Sequence, residues 1–385
     1  MRKEFEIIES LEKEYVDFLV DICEIESPTL FKEGVDAVGR YISEKARKKG
    51  WDIEVFPQKV SGDAYCITMN PDAPGKPICI SGHMDTVHPL GAFGKPAVKV
   101  EGDIIKGPGV SDCKGGIVGG FMAMDALDAV GYNARPVKLI LQSDEENSSI
   151  TSNKETIRFM CEKCEGADAF INLEPSETVT SKRILLERKG IVRYEFNVHG
   201  KAGHSAGCFN PWCASAINEA AHKIAELEKF KDGDGITCNI GIIKGGSAPN
   251  TVPEECMFTA DFRFSDFEQL SQIEKAVEEI SNKVYVEGTS CKAEKGSFRS
   301  PLPYSEKNYK LYERMNEIFK KEGFDTLEYA KSAGGTDAAY VSEKGIPTLD
   351  SLGIVSAGCH SLGEYGTVSG LKLCAKRLVA LITEI

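Results

Sequence analysis

Apolar positions recur at helical spacing over about residues 5–26 and again over 30–49. Both stretches predict amphipathic helices, the first ended by Pro28 and the second by Gly50. Three short runs follow, "WDIEVF" (51–56), "AYCITM" (64–69) and "PICISG" (77–82), alternating or continuously apolar as strands require. Past a glycine-rich loop, 115–130 has a helical pattern, 136–143 a buried strand pattern, 153–163 a second helix and 167–173 another strand. Strands alternating with helices in this order predict an α/β fold with a mostly parallel sheet flanked by helices.

The pattern changes near residue 191. "IVRYEFNVHG" alternates, 211–230 is helical, "GITCNIGIIKGG" and "CMFTADFRF" alternate, 266–283 is helical, and 289–298 closes the series. This strand–helix–strand–strand–helix–strand order predicts a compact α+β sandwich. Helix–strand alternation resumes after "SPLP" (300–303). The sandwich is therefore expected as an insertion, residues 191–300, between two parts of a first domain, 1–190 and 301–385.

Composition narrows the function. A chain of 385 residues is long for one core. A formal charge of −13 works against binding nucleic acid or an anionic membrane surface, both of which need a basic face. The N-terminal stretch lacks the apolar core of an export signal, and no run approaches the about 18 apolar residues of a membrane span. Thirteen cysteines without a framework spacing then predict reduced thiols and a cytoplasmic protein. The one CxxC, Cys161 to Cys164, has no second pair beside it and reads as structural.

The candidate chemistry lies just past the predicted strands. His83 follows "ICISG", Glu145 and Glu146 follow "KLILQSD", and Glu174 follows "AFINL"; Asp112 sits in "GPGVSDCKGG" and His360 in "VSAGCHSLGE". Ligands of open α/β sheets collect at the carboxyl ends of strands, so these loops can converge on one crevice. Each residue singly has a plainer explanation as a solvated acid or a structural histidine. Together, two imidazoles and several carboxylates describe a site for Zn²⁺, Mn²⁺ or Co²⁺ that needs no cysteine. The glycines near 107–120 match neither GxxxxGK[ST] nor GxGxxG, which leaves them to turn geometry.

The stretches "SGHMDTVHP", "GPGVSDCKGG", "SDEENSS", "NLEPS", "GKAGHSAG", "GGTDAAY" and "CHSLGE" occur in one order along nearly the whole chain. As a set they resemble the dinuclear zinc metallopeptidase family of glutamate carboxypeptidase, aminoacylase and succinyl-diaminopimelate desuccinylase, with glutamate carboxypeptidase the nearest in motif.

The resemblance implies two divalent metal ions per chain, zinc first, with manganese or cobalt as alternatives. It makes His83 a ligand, Asp85 the partner that orients its ring, and Asp112 a bridge between the metals, followed in relatives by a peptide bond that is often cis. Glu174 would complete the metal of His83, and Glu146 with His360 the other. Glu145 would be the general base, although the chemistry of two adjacent acids leaves the exchange with Glu146 open. His204 would stabilise an oxyanion, in relatives often from the partner subunit. Asn250 and Arg263 would hold a substrate carboxylate, and Gly334 and Gly335 would let backbone N–H groups approach the substrate. A homodimer formed through the inserted domain is implied as well. No role falls to His88, His199 or His222.

The expected activity is a two-metal hydrolase cleaving an amide of a peptide or N-acyl amino acid with a free carboxylate. An aminoacylase or dipeptidase is the alternative within the family. A non-catalytic protein that binds amino-acid derivatives is the alternative outside it.

Overall fold

A computed structural model describes residues 2–175, 178–231 and 235–385. Ser176, which ends the "NLEPS" stretch, lies outside them. The chain divides into two compact units: one runs up to Leu186 and resumes as Tyr304–Lys331 and Asp337–Ile385, and the other comprises Glu187–Pro303 with Ser332–Thr336.

The first unit is built on a six-stranded sheet. Its centre is Ile78–His83, flanked in parallel by Val137–Gln142 and Ala169–Asn172, with Thr348–Leu349 parallel at one edge. Ala64–Met69 and then Asp52–Phe56 extend the other edge antiparallel. The three strands Ile78–His83, Val137–Gln142 and Ala169–Asn172 are almost wholly buried, which is why their sequences are continuous apolar runs. Register places His83 opposite Gln142 and Ser81 opposite Asn172, so three strands end along one edge of the sheet.

Helix Gly115–Ala129, "GGIVGGFMAMDALDA", is buried over Gly115–Leu127, as an apolar surface on every side requires. It packs against helix Val368–Glu384 and against the sheet. Its glycines permit close approach: a Cβ on Gly116 would lie 2.2 Å from the carbonyl oxygen of Leu173. That contact fixes the helix start against the strand end from which Glu174 projects.

The second unit carries a four-stranded antiparallel sheet in the order Thr237–Gly245, Glu255–Phe264, Gly190–His199, Ser290–Arg299. Helices Ala216–Leu227 and Phe267–Asn282 supply Ala220, Ile273 and Val277 to a core with Val192, Phe196, Phe258 and Phe262. The first helix begins five residues later than its sequence pattern suggests, because the Ser215 hydroxyl accepts the Asn218 N–H as an N-cap. Ala214 meanwhile exchanges backbone hydrogen bonds with Lys201, which holds Pro211–Ala214 out of the helix. No helix among the described residues is long and apolar enough to cross a membrane.

Candidate metal centre

The end of strand Ile78–His83 and four loops of the first unit bring together His83, Asp112, Glu146, Glu174 and His360. Asp112 lies between the two histidines: Oδ1 is 2.9 Å from His83 Nε2 and Oδ2 is 3.2 Å from His360 Nε2. Glu174 Oε1 stands 3.5 Å from the His83 nitrogen, and Glu146 Oε2 stands 3.4 Å from that of His360. The result is two donor sets, His83 with Glu174 and His360 with Glu146, which share one carboxylate.

Local backbone geometry produces this convergence. Gly109 has φ 74°, a left-handed conformation that turns the chain before Asp112. The Asp112–Cys113 peptide bond is cis, and His360 itself has φ 62°. After the strand Val137–Gln142, Asp144 accepts the Ser152 N–H at 2.8 Å and the Thr156 hydroxyl at 2.8 Å, pinning the loop that carries Glu145 and Glu146.

Asp85 is fully buried. The nearest polar partner of His83 Nδ1 is the Asp85 carbonyl oxygen at 3.0 Å, with the Asp85 carboxylate farther away at 3.4 Å. A carbonyl only accepts, so Nδ1 carries a proton and the Nε2 lone pair is left for the site. The Asp85 carboxylate serves a second purpose that the sequence did not signal. It accepts the backbone N–H of Glu145 at 3.2 Å and of Glu146 at 3.1 Å, and the Thr29 hydroxyl at 2.7 Å. One carboxylate thus ties the histidine loop to both adjacent glutamates.

The electrostatics test whether a cation suits the site. Burial, with Asp112 nearby, pushes Glu174 up to about 7, and burial likewise pushes Glu146 up to about 8. Hydrogen bonds to Asp112 and Glu146 raise His360 to about 10. Asp112 is driven the other way: burial alone would raise it, but hydrogen bonds from His360 and His83 hold it well below the usual range. Protons therefore take the place of positive charge in a cluster of oxygen and imidazole donors. Divalent cations fit such a donor set, because their charge returns the glutamates to carboxylates and the imidazoles to neutral ligands.

Cys113 also lines the site. Its Sγ accepts the His83 backbone N–H at 3.1 Å and belongs to a compact donor group with His83 and Glu174. Burial pushes its thiol up to about 12, so in the metal-free protein it is a neutral wall of the site.

Residues 186–289 match the model of the peptidase dimerisation domain. Carboxypeptidase G2 from a Pseudomonas species is 27% identical over 370 residues, covering 95% of this chain and 86% of that protein. Succinyl-diaminopimelate desuccinylase of Rickettsia akari is 27% identical over 388 residues, covering 93% and 96%. A solved M20 family metallo-carboxypeptidase of Sulfolobus solfataricus superposes with a TM-score of 0.78 at 18% identity, over 96% of this chain and 99% of its own. The chain shares the fold of this M20 family metallo-carboxypeptidase and resembles the carboxypeptidase and the desuccinylase over nearly its whole length.

The second unit holds the other residues singled out in the sequence. His204 is exposed and forms a two-residue antiparallel pairing with Thr251. Its Nδ1 accepts the Ala206 N–H at 3.2 Å, so the neutral ring carries its proton on Nε2 and presents a donor. Asn250 is adjacent, its carbonyl accepting the Ser205 N–H at 2.9 Å. Arg263 lies between the buried Phe262 and Phe264, on the other face of strand Glu255–Phe264. Its Nε donates to Asp261 at 2.9 Å, and Nη1 reaches the Ala333 carbonyl at 3.5 Å, which places it beside Gly334 and Gly335. A Cβ on Gly335 would lie 2.3 Å from Arg299 Cδ. His222 stacks on Tyr285 with ring centroids 5.3 Å apart, a packing role. His88, by contrast, is buried and donates from Nε2 to Glu364 at 2.7 Å, a pair separated by 276 residues and invisible to local pattern.

Proposed function

We propose that the protein is a two-metal hydrolase that cleaves an amide bond of a peptide or N-acyl amino acid bearing a free carboxylate. The observation that carries this reading is the Asp112 carboxylate placed between two histidine–glutamate pairs, with Glu145 next in sequence to one of the glutamates. His83, Asp112 and Glu174 would hold one ion and His360, Asp112 and Glu146 the other. Zinc suits the mixed imidazole and carboxylate set, as do manganese and cobalt. When bound, the ions supply Lewis acidity that polarises the scissile carbonyl and acidifies the attacking water.

The chain's own residues handle the proton. Glu145, its backbone fixed by Asp85, takes a proton from the attacking water as the new C–O bond forms, then delivers it to the amine as the C–N bond breaks. We assign His204 the role of donating to the developing oxyanion, and Asn250 and Arg263 that of holding the substrate carboxylate. Residues 191–300 act as an inserted lid and dimerisation domain on this reading. The matching domain model supports that, and so does the edge strand Thr237–Gly245 with Ile242 and Ile243 about half exposed. A homodimer follows. All thirteen cysteines are among the described residues and unpaired, which favours a reducing cytoplasm.

Carboxypeptidase G2 and the desuccinylase match equally in identity, so release of an acyl group such as succinyl is the second reading. One panel separates them: metal-reconstituted protein is assayed on acyl-glutamates, dipeptides, N-acetyl and N-succinyl amino acids. Turnover of a glutamate- or peptide-terminated substrate supports the first reading. Turnover confined to N-succinyl or N-acetyl compounds supports the second. A full panel without turnover by the two-metal form contradicts both.

A further inference from the structure

Glu364 lies four residues beyond His360 and is almost completely buried. Its Oε1 accepts the backbone N–H groups of Ser111 at 2.9 Å and Asp112 at 3.0 Å. Its Oε2 accepts the Gly109 N–H at 3.2 Å and the Nε2 proton of His88 at 2.7 Å. The Gly107 N–H reaches the Glu364 carbonyl at 3.3 Å, and the Ser111 hydroxyl lies 2.6 Å from that of Ser356. One carboxylate therefore joins three loops: the turn that leads into Asp112, the segment that carries His360, and the stretch after His83 that contains His88.

This linkage bears on the metal centre directly. Asp112 can face His83 with one oxygen and His360 with the other only if its backbone is fixed relative to both. His360 adopts φ 62°, a conformation that a non-glycine residue keeps only under outside support. The four donors on Glu364 supply that support, since both oxygens are saturated by groups that hold the Asp112 turn against the His360 segment. His88 orients the carboxylate and is itself wedged edge-on against Phe93, with ring centroids 4.8 Å apart. Neither residue is among the donors of the centre.

We propose that Glu364, oriented by His88, is the positioning residue that sets Asp112 and His360 in register for the ion they share with Glu146. The proposal rests on the two-metal reading above. Outer partners of this type tune metal affinity about 10–100-fold. Glu364→Gln keeps the shape but turns an NH₂ group toward two N–H donors, which cannot be satisfied together. His88→Gln retains a donor, whereas His88→Ala removes it.

The test is zinc titration calorimetry on the full-length, metal-stripped protein, with circular dichroism and thermal melting of each variant alongside. Two ions should bind per wild-type chain. Glu364→Gln should keep one site within a few-fold and weaken the other about 10–100-fold, with His88→Ala showing a smaller loss in the same site and His88→Gln recovering it. Wild-type affinities at both sites in Glu364→Gln and His88→Ala would overturn the proposal. Loss at both sites that merely follows the unfolded fraction would overturn it too, leaving only a fold-stabilising pair. A wild-type chain that binds no zinc would instead bring down the two-metal reading itself.

Discussion

Glu145 and Glu146 are neighbours in sequence with opposite assignments, and the difference is testable. Glu146 Oε2 stands beside His360, while Glu145 is the proposed base. Glu145→Ala should bind two metals with unchanged affinity and lose about 10²–10⁴-fold in kcat, the usual contribution of a general base. Glu146→Ala should lose metal instead. Metal content by atomic emission and steady-state kinetics read the two effects separately. A second residue-scale consequence concerns pH. In the stripped protein Glu146 and Glu174 titrate near 8 and 7, above the ordinary 4.5, and His360 near 10, above 6.5. In each case the folded state holds protons that the unfolded state has released, so stability falls as pH rises. The melting temperature of the metal-free protein should therefore drop between about pH 5 and 8, and zinc should flatten that slope. A stripped protein whose melting temperature rises over this range contradicts the description of the cluster. His83, Asp112, Glu174 and His360 could be read from the sequence because each follows a strand or a glycine-rich turn. The His88–Glu364 pair could not, because nothing local links positions 276 residues apart and each looks like an ordinary polar loop residue. The double use of Asp85 was hidden for a similar reason, since its partners are backbone N–H groups.

At the scale of elements, the continuous apolar runs at 77–82 and 136–143 identified buried parallel strands, and the structure pairs them in parallel at the sheet centre. Alternation in 256–264 identified a strand, and burial alternates along the observed strand Glu255–Phe264. The boundary missed at 211 shows the limit: helical periodicity runs on through Pro211–Ala214, and only the Ser215 cap and the Lys201 pairing end the helix. Sheet order was also beyond pattern alone, as it depends on which strands meet through the core. Helix Gly115–Ala129 offers a test. Gly116→Ala would place a methyl 2.2 Å from the Leu173 carbonyl, a backbone atom with little room to give. The helix start must shift away from the strand end beside Glu174, at a cost of about 1–3 kcal/mol. Urea unfolding should show that loss in the metal-free protein, and an unchanged midpoint would show that the contact is slack.

For the whole molecule, the strand-end histidines and carboxylates pointed to a divalent-cation site, and the similarity to carboxypeptidase G2 and to the desuccinylase supports a metal-dependent hydrolase. Dimerisation is the expectation with the plainest readout. Ile243, on the exposed edge of the second unit's sheet, is 54% accessible in a single chain. Sedimentation at micromolar concentration should give a dimer, and Ile243→Lys should shift it toward the 42.0 kDa monomer, because an edge lysine opposes strand association. The central claim, however, is the pair of metals served by Asp112 with Glu145 as base. Its most direct test removes all metal, returns zinc in steps, and follows hydrolysis of an acyl-glutamate, a dipeptide and an N-succinyl amino acid by the wild type and Glu145→Ala. The account predicts turnover that reappears as zinc approaches two per wild-type chain, with Glu145→Ala binding the same two ions and staying almost inactive. Turnover that survives complete metal removal, or a fully active Glu145→Ala, would contradict it.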